Sequence, residues 1–308
     1  MSLEKPKIAV PGLCILLAAT ISGGAAVAMS EDAGSTRLPA ALDAVRADDG
    51  FRAPTWNAMQ SARTTFRRLF SGDAEPGSET FDQLGFATRP VALDTGNALA
   101  VSDPPGDVRG RGFYLLDRTA SPEANVLVQA PHRFKDLDTG KIVAALVQGG
   151  RFRAAAWNTV PRWAPDDRSD RSSDVAHIDV SFFNAFTLAF AEAYPDGAVV
   201  QMHGFAREHR DTAAGRDADV IVSSGTRQLR EPARRVHGCL NAALDGAVLA
   251  YGEDVFELGA TTNRNAAALR RNGFDRFVHV ELAREMRRRL LAEPGVQDRL
   301  RRCLLKAA

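Results

Sequence analysis

The chain has 308 residues, of which 45% are hydrophobic and 25% charged, and its formal net charge is +1. That composition is ordinary for a folded globular protein, and the length is ample for one large domain with a proper core. Near-neutrality leaves no electrostatic footprint for nucleic acid or an anionic membrane surface.

Lys5 and Lys7 give the chain a positive start, and Ile8 to Ala28 is an almost uncharged run of Ala, Val, Leu, Ile and Gly. The run closes on Ala26-Val27-Ala28, the small-x-small pattern of a signal-peptidase site, and turns polar at Ser30-Glu31-Asp32. Residues 1–28 therefore read as a cleaved export signal, with a periplasmic or secreted mature chain. An uncleaved anchor is the other reading of a run this long, but Pro11 and the Gly-rich second half weigh against it. Leu13 stands where a lipoprotein signal needs a small residue before Cys14. Loss of two Lys and one Glu from 39 basic and 38 acidic residues leaves 37 of each. No nucleic-acid partner is expected, and no stable membrane insertion after cleavage.

Residues 29–80 read as a loose start followed by helix, a helical N-terminal region expected to pack on the core. Thr55 to Phe70 places Trp56, Met59, Ala62, Phe66 and Leu69 at helical spacing, and the Gly/Pro/Ser/Asp-rich stretch Ser71 to Ser78 ends the pattern. Residues 81–308 read as the catalytic α/β domain. Gly112–Asp117, Asn125–Ala130, Ala198–Met202, Asp219–Ser223 and Arg276–Val280 are short apolar strands bounded by turn residues. Ser181–Tyr194 is a helix apolar nearly all round, hence buried, and Glu231–Leu244 is a second helix. Alternating strands and helices predict a three-layer α/β fold: a mixed, mostly parallel sheet with helices on both faces. Chemistry in such folds gathers at the carboxyl ends of the strands.

Three strands end in residues suited to that place. The first runs into Pro131-His132-Arg-Phe-Lys-Asp136-Leu-Asp138-Thr139-Gly140, the second into His203-Gly204-Phe205, the third into Glu281. Two imidazoles and a nearby carboxylate make a three-ligand zinc site with an open position, and a Glu from another strand can move a proton. Each residue also has a plainer reading: a hydrogen-bonded strand-end His, Asp136 or Asp138 closing the turn at Thr139-Gly140, and Glu281 paired with Arg284 or Arg288.

The PHRFKD turn resembles the metal-binding turn of poly-γ-glutamate hydrolases and, more broadly, the zinc carboxypeptidase, aspartoacylase and N-formylglutamate amidohydrolase group. The resemblance spans roughly residues 112–290 and includes QMHGF at His203 and VHVELAREMR from Val278 to Arg287. It implies a zinc carboxypeptidase-like fold, zinc held by His132, Asp136 and His203, and Glu281 as catalytic base. Lys135 stands where carboxypeptidases place Glu, three residues after the first His, so Asp136 follows the wider poly-γ-glutamate hydrolase spacing and Asp138 stays open as the alternative ligand. The family's Asn–Arg element, which grips a substrate carboxylate, resembles Asn158-Thr-Val-Pro-Arg162 in stretched form.

Outside these motifs, His177 is open to substrate binding, proton relay or a structural role before the apolar helix. Arg227, in Ser223-Ser-Gly-Thr-Arg227, is a candidate to hold a substrate anion. His209, His237 and His279 read as surface or packing residues. Cys239 and Cys303, the cysteines left after export, suggest a disulfide tying the helix Val296–Leu305 to an earlier one, with two buried thiols as the alternative. The expected activity is zinc-dependent hydrolysis of an amide in a small peptide-like or acyl-amino-acid substrate. A non-catalytic periplasmic binding or scaffolding protein on the same fold is the alternative. No G-x-S-x-G elbow supports a serine hydrolase.

Overall fold

The computed structural model describes residues 1, 36–73, 78–166 and 172–308. The expected export signal, residues 1–28, lies outside the described residues apart from Met1, and so do residues 74–77 of the break after the first long helix. From Thr36 onward the described chain falls within one compact unit, Ser35–Ala308. Among the described residues no helix is long and apolar enough to cross a membrane.

One ten-stranded sheet organises the chain. Its strands are β1 (Thr36–Arg37), β2 (Ala87–Leu93), β3 (Gly96–Ser102), β4 (Phe113–Leu116), β5 (Val126–Ala130), β6 (Ala154–Trp157), β7 (Ala198–Phe205), β8 (Val220–Ser223), β9 (Val248–Ala250) and β10 (Phe277–Ala283). They lie in the order β1-β2-β3-β4-β6-β5-β7-β10-β8-β9. The centre, β6-β5-β7-β10, is parallel, and parallel pairs also join β1 to β2 and β8 to β9. The meander β2-β3-β4 is antiparallel, as are the junctions β4–β6 and β10–β8. The sheet is therefore mixed and mostly parallel, as its strand–helix alternation predicts.

Helices cover both faces. They are α1 (Leu38–Asp43), α2 (Trp56–Ser71), α3 (Glu79–Gln83), α4 (Thr139–Gln148), α5 (Phe182–Ala193), α6 (Ala213–Asp217), α7 (Glu231–Ala243), α8 (Arg264–Arg271), α9 (Arg284–Ala292) and α10 (Pro294–Leu305). Strand periodicity assigns each side chain to a face. Val126, Val128, Val200, Met202, Val278 and Val280 pack with α1, α4, α7, α9 and α10. Leu127, Val199 and Phe277 pack with α2, α5 and α8. Gln129, Gln201, His203, His279 and Glu281 share the second face by the same period of two.

Local chemistry explains the elements that matter here. Thr55 caps α2 by accepting from the Ala58 amide (3.2 Å), and Gly72 ends it in the left-handed region (φ 78°). Met59, Ala62, Phe66 and Leu69 are buried along its inner stripe, but Trp56, in the first turn, is 59% exposed and does not join the core. Ser181 caps α5 through the Asn184 amide (3.0 Å). That helix is wedged between α2 and the sheet, which is why its apolar composition extends nearly all round. β2, β3, β6 and β9 carry little alternation. Pro90 and Arg89 interrupt β2, and β6 is Ala-Ala-Ala-Trp, so neither reads as a strand by pattern.

The direction of β8 corrects one expectation. Register pairs Ser223 with His279 and Val220 with Leu282, so β8 runs against β10 and its carboxyl end lies at the opposite edge of the sheet from His203 and Glu281. Arg227 follows that end, is exposed, and takes no part in the cavity described below. A parallel strand would have delivered it; an antiparallel one cannot.

Candidate metal centre

Beyond β5 the chain makes one helical turn, with the amides of Lys135 and Asp136 donating to the His132 carbonyl at 2.9 and 2.8 Å. A spacing of four residues across such a turn brings His132 and Asp136 to the same side. β7 contributes His203, which stands beside Glu281 in the parallel register with β10. Asp136 Oδ2 lies 3.1 Å from His203 Nδ1 and 3.5 Å from His132 Nδ1, and the two imidazole centroids are 4.9 Å apart. All three side chains are buried, and their ligand atoms lie within 4.8 Å of one another, close enough to hold one metal ion. They line a cavity of about 530 Å³ at the carboxyl edge of the central strands.

The electrostatics suit a cation. Burial works against the Asp136 carboxylate, but the hydrogen bonds to His132 and His203 outweigh it and hold the group well below the usual carboxylate range. Burial lowers His203 and keeps it in the neutral form that ligates metals. His132 also pays for burial, yet its bonds to Asp136 and Asp174 raise it, so the field that favours a proton there would equally favour a metal ion. Two imidazoles and a carboxylate are a donor set that zinc accepts.

Asp174 is the residue that sequence reasoning passed over. Its Oδ1 lies 2.8 Å from His132 Nε2 and 3.0 Å from His177 Nδ1, while its Oδ2 accepts from Arg162 Nε at 2.9 Å. The carboxylate thus holds the Nε2 side of the His132 imidazole, which fixes tautomer and ring orientation, and with His132 and His177 it forms a second group close enough to hold a metal ion. Its position three residues before His177 was visible, but its contact with His132 depends on a loop from another part of the chain. His177 lies parallel to the His132 ring at 6.1 Å and reaches the cavity from its exposed side.

Of the two readings open for His279, surface or packing, the structure gives packing, and it places the ring at the site. His279 is buried, not a surface residue, with Nδ1 3.2 Å from Ser223 Oγ and Nε2 3.6 Å from Glu281 Oε1, and its ring lies 4.6 Å from that of His203. The pattern His279-x-Glu281, with period two, was the available signal. His279 lies well below its ordinary pKa because of burial and the neighbouring His203. Burial, then Asp136, pushes the Glu281 carboxyl up to about 8. Glu281 Oε2 is buried without a hydrogen-bond partner, and Glu281 pairs with neither Arg284 nor Arg288 among the described residues.

Beneath the centre lies a buried amide network. Gln201 Nε2 donates to Gln129 Oε1 (2.9 Å) and Asn265 Oδ1 (2.8 Å), Gln129 Nε2 to Thr187 Oγ1 (2.8 Å), and Asn263 Nδ2 to Gln201 Oε1 (2.8 Å). Such a network ties β5, β7, α5 and α8 into one platform under His203.

Three expected participants stay outside. Asp138 begins α4 in a left-handed conformation (φ 70°), lies 3.5 Å from Lys141 Nζ, and faces a separate groove, so it is not an alternative ligand. Asn158 is buried and occupied with the Ser173 carbonyl (3.0 Å), away from the cavity, whereas Arg162 does line it. Arg227 is excluded by strand direction. His209 stands at the cavity rim, and His237 lies apart, near the Val248 carbonyl at 3.2 Å.

Cys239 in α7 and Cys303 in α10 are joined as a disulfide, with Cα atoms 5.4 Å apart.

The chain matches no protein-family model and no curated protein sequence. Among solved structures, a bacteriophage poly-γ-glutamate hydrolase is similar with a TM-score of 0.34 at 11% identity, covering 60% of this chain and 83% of that one. A gene product of Agrobacterium tumefaciens gives 0.36 at 12%, covering 61% and 92%. A tomato leucine aminopeptidase mutant gives 0.30 at 11%, covering 80% and 61%. These likenesses are partial, and the centre rests on its own geometry.

Proposed function

We propose that this chain is an exported zinc-dependent hydrolase that cleaves an amide bond in a peptide-like or acyl-amino-acid substrate. The observation that carries the reading is the convergence of His132 Nδ1, Asp136 Oδ2 and His203 Nδ1 on an open cavity that Glu281 also lines. These three residues would hold the metal. Zinc at such a site polarises a carbonyl and lowers the pKa of a bound water.

The chain's own groups supply the rest. Glu281, from the neighbouring strand, would take the proton of the attacking water and pass it to the leaving nitrogen. Burial and the charge of Asp136 raise its pKa, and a divalent charge nearby would favour the ionised form that a base requires. Asp174 would orient His132, and Arg162, held by Asp174, would meet negative charge on the substrate from the opposite wall. The cavity of about 530 Å³ has room for a small substrate, which a catalytic or a binding protein needs and a pure scaffold does not. The disulfide is compatible with an oxidising compartment, the destination that the N-terminal segment implies.

The test is elemental analysis of the purified mature protein with a chelator control, combined with a panel of acyl-amino-acid and peptide substrates. One zinc per chain is expected, with turnover that stops on chelation and returns with added zinc. A protein that takes up no zinc, or hydrolysis indifferent to the chelator, would remove the proposal.

A further inference from the structure

His132 faces two carboxylates at once. Its Nδ1 lies 3.5 Å from Asp136 Oδ2, on the side of His203, and its Nε2 lies 2.8 Å from Asp174 Oδ1, on the side of His177. The second side is built like the first. His177 Nδ1 stands 3.0 Å from the same Asp174 oxygen, so two imidazole nitrogens converge on one carboxylate atom. The ligand atoms of His132, Asp174 and His177 lie within 4.8 Å of one another, as those of His132, Asp136 and His203 do.

A carboxylate that only orients a ligand imidazole needs one ring as its partner. Asp174 has two, and orienting His132 does not require the second. Asp174 is itself held from behind, since its Oδ2 accepts from Arg162 Nε at 2.9 Å, and this leaves Oδ1 turned to the two rings. His177 is exposed and lines the cavity, so an ion can reach this group from solvent without passing the buried His203.

We propose that His132, Asp174 and His177 hold a second metal ion, and that the His132 ring bridges the two ions, Nδ1 ligating one and Nε2 the other. The inference shares His132 with the hydrolytic centre but does not rest on the bond that centre cuts. Two imidazoles among three donors select an ion such as zinc or copper over calcium or magnesium. A nitrogen must lose its proton to ligate, so the bridging ring gives its remaining N–H proton to solvent as the second ion enters. The two sites are unequal. Arg162 Nη2 stands 3.4 Å from His177 Nδ1, so the outer ion shares its carboxylate with a guanidinium and lies in that positive field. It should bind about tenfold or more weakly than the inner one. One zinc then survives dialysis, and the second is taken up only from added metal.

The test uses the full-length mature protein stripped of metal, and it does not depend on turnover. Zinc is titrated calorimetrically into the wild type, H177N and H203N, with thermal melting as the check on folding. The wild type should show two steps of unequal affinity. H177N, whose amide can still donate to Asp174 but ligates zinc poorly, should lose the weaker step alone, and H203N should lose the tighter one. A single wild-type step that H177N leaves unchanged overturns the inference and leaves the hydrolase reading standing, with His177 as a partner of Asp174. A second step that persists in H177N is zinc bound elsewhere on the surface and overturns it as well. A single step lost in H177N but kept in H203N would overturn the pair and the hydrolytic ligand set together. The shared ring is read in the wild type with copper as the probe, which needs no variant to fold. Two copper ions bridged by one imidazolate are exchange-coupled, so the paramagnetic resonance signal at low temperature should rise with the first equivalent and fall with the second. A signal that keeps growing to two independent ions overturns the bridge.

Discussion

Glu281 and Asp174 make different demands on a single carboxylate. Glu281 is buried, lacks a partner at Oε2, and among the described residues pairs within 4 Å with His279 alone, at 3.6 Å, so its position is poor for stability and suited to moving a proton. E281Q preserves size and removes basicity. We expect a folded protein that keeps its zinc and loses about a hundredfold to ten-thousandfold in kcat, measured beside zinc content and melting temperature; near-normal turnover would leave the enzyme without this base. Asp174 acts through His132 and touches no reacting atom in the proposed reaction. D174N should keep the fold and weaken zinc binding about tenfold to a hundredfold, read by competition with a chromophoric chelator. Unchanged zinc affinity would reduce Asp174 to the ion-pair partner of Arg162. Both residues were present in the chain's pattern, but only one was recognised: the apolar run Arg276–Val280 leads into Glu281, which β10 includes, whereas Asp174 gains its role from a loop that crosses to β5.

At the level of elements, the site stands on α5. Phe186 is fully buried, with ring centroids 4.8 Å from Tyr114, 5.0 Å from Phe66 and 5.2 Å from Phe70, so one side chain joins α5 to α2 and the sheet. F186A should cost about 3–5 kcal/mol, the usual range for deleting a buried aromatic ring, seen as a lower urea midpoint at unchanged slope. A loss below 1 kcal/mol would show that the layer re-closes and that α5 is not held by this ring. The platform beneath His203 draws on α5 as well, where Thr187 bonds Gln129 of β5 and Gln129 bonds Gln201 of β7, so that these buried polar groups satisfy one another. The apolar run of α5 made its burial legible. That α2, from the N-terminal region, would pack on it was not, because helical spacing shows which face is apolar and says nothing about which partner covers it.

Across the whole molecule, the disulfide lies with the α7 and α10 layer, whose partner face of the sheet is the one opposite His203 and Glu281. It closes a separation of 64 residues, and chain-entropy reasoning sets the stabilisation at about 4 kcal/mol. The double variant C239S/C303S should therefore melt lower while keeping its zinc and its activity per folded molecule. A melting temperature equal to that of the wild type would mean that the two helices dock without help from the bond. What the amino-acid order determined by itself is what periodicity and local spacing encode: the α/β alternation, the strands around β5, β7 and β10, and the His132–Asp136 turn; His203 and Glu281, expected just past strand ends, lie inside β7 and β10, which run on to Phe205 and Ala283. Tertiary structure alone decided the direction of β8, which carries Arg227 to the far edge, and the left-handed start of α4 that turns Asp138 away. Alternation along a strand reports which faces are apolar, but it is unchanged when the strand is reversed. Direction is settled by pairing with neighbours and by the length of the connections between them, and in this sheet that choice decides which polar side chains meet over the metal centre.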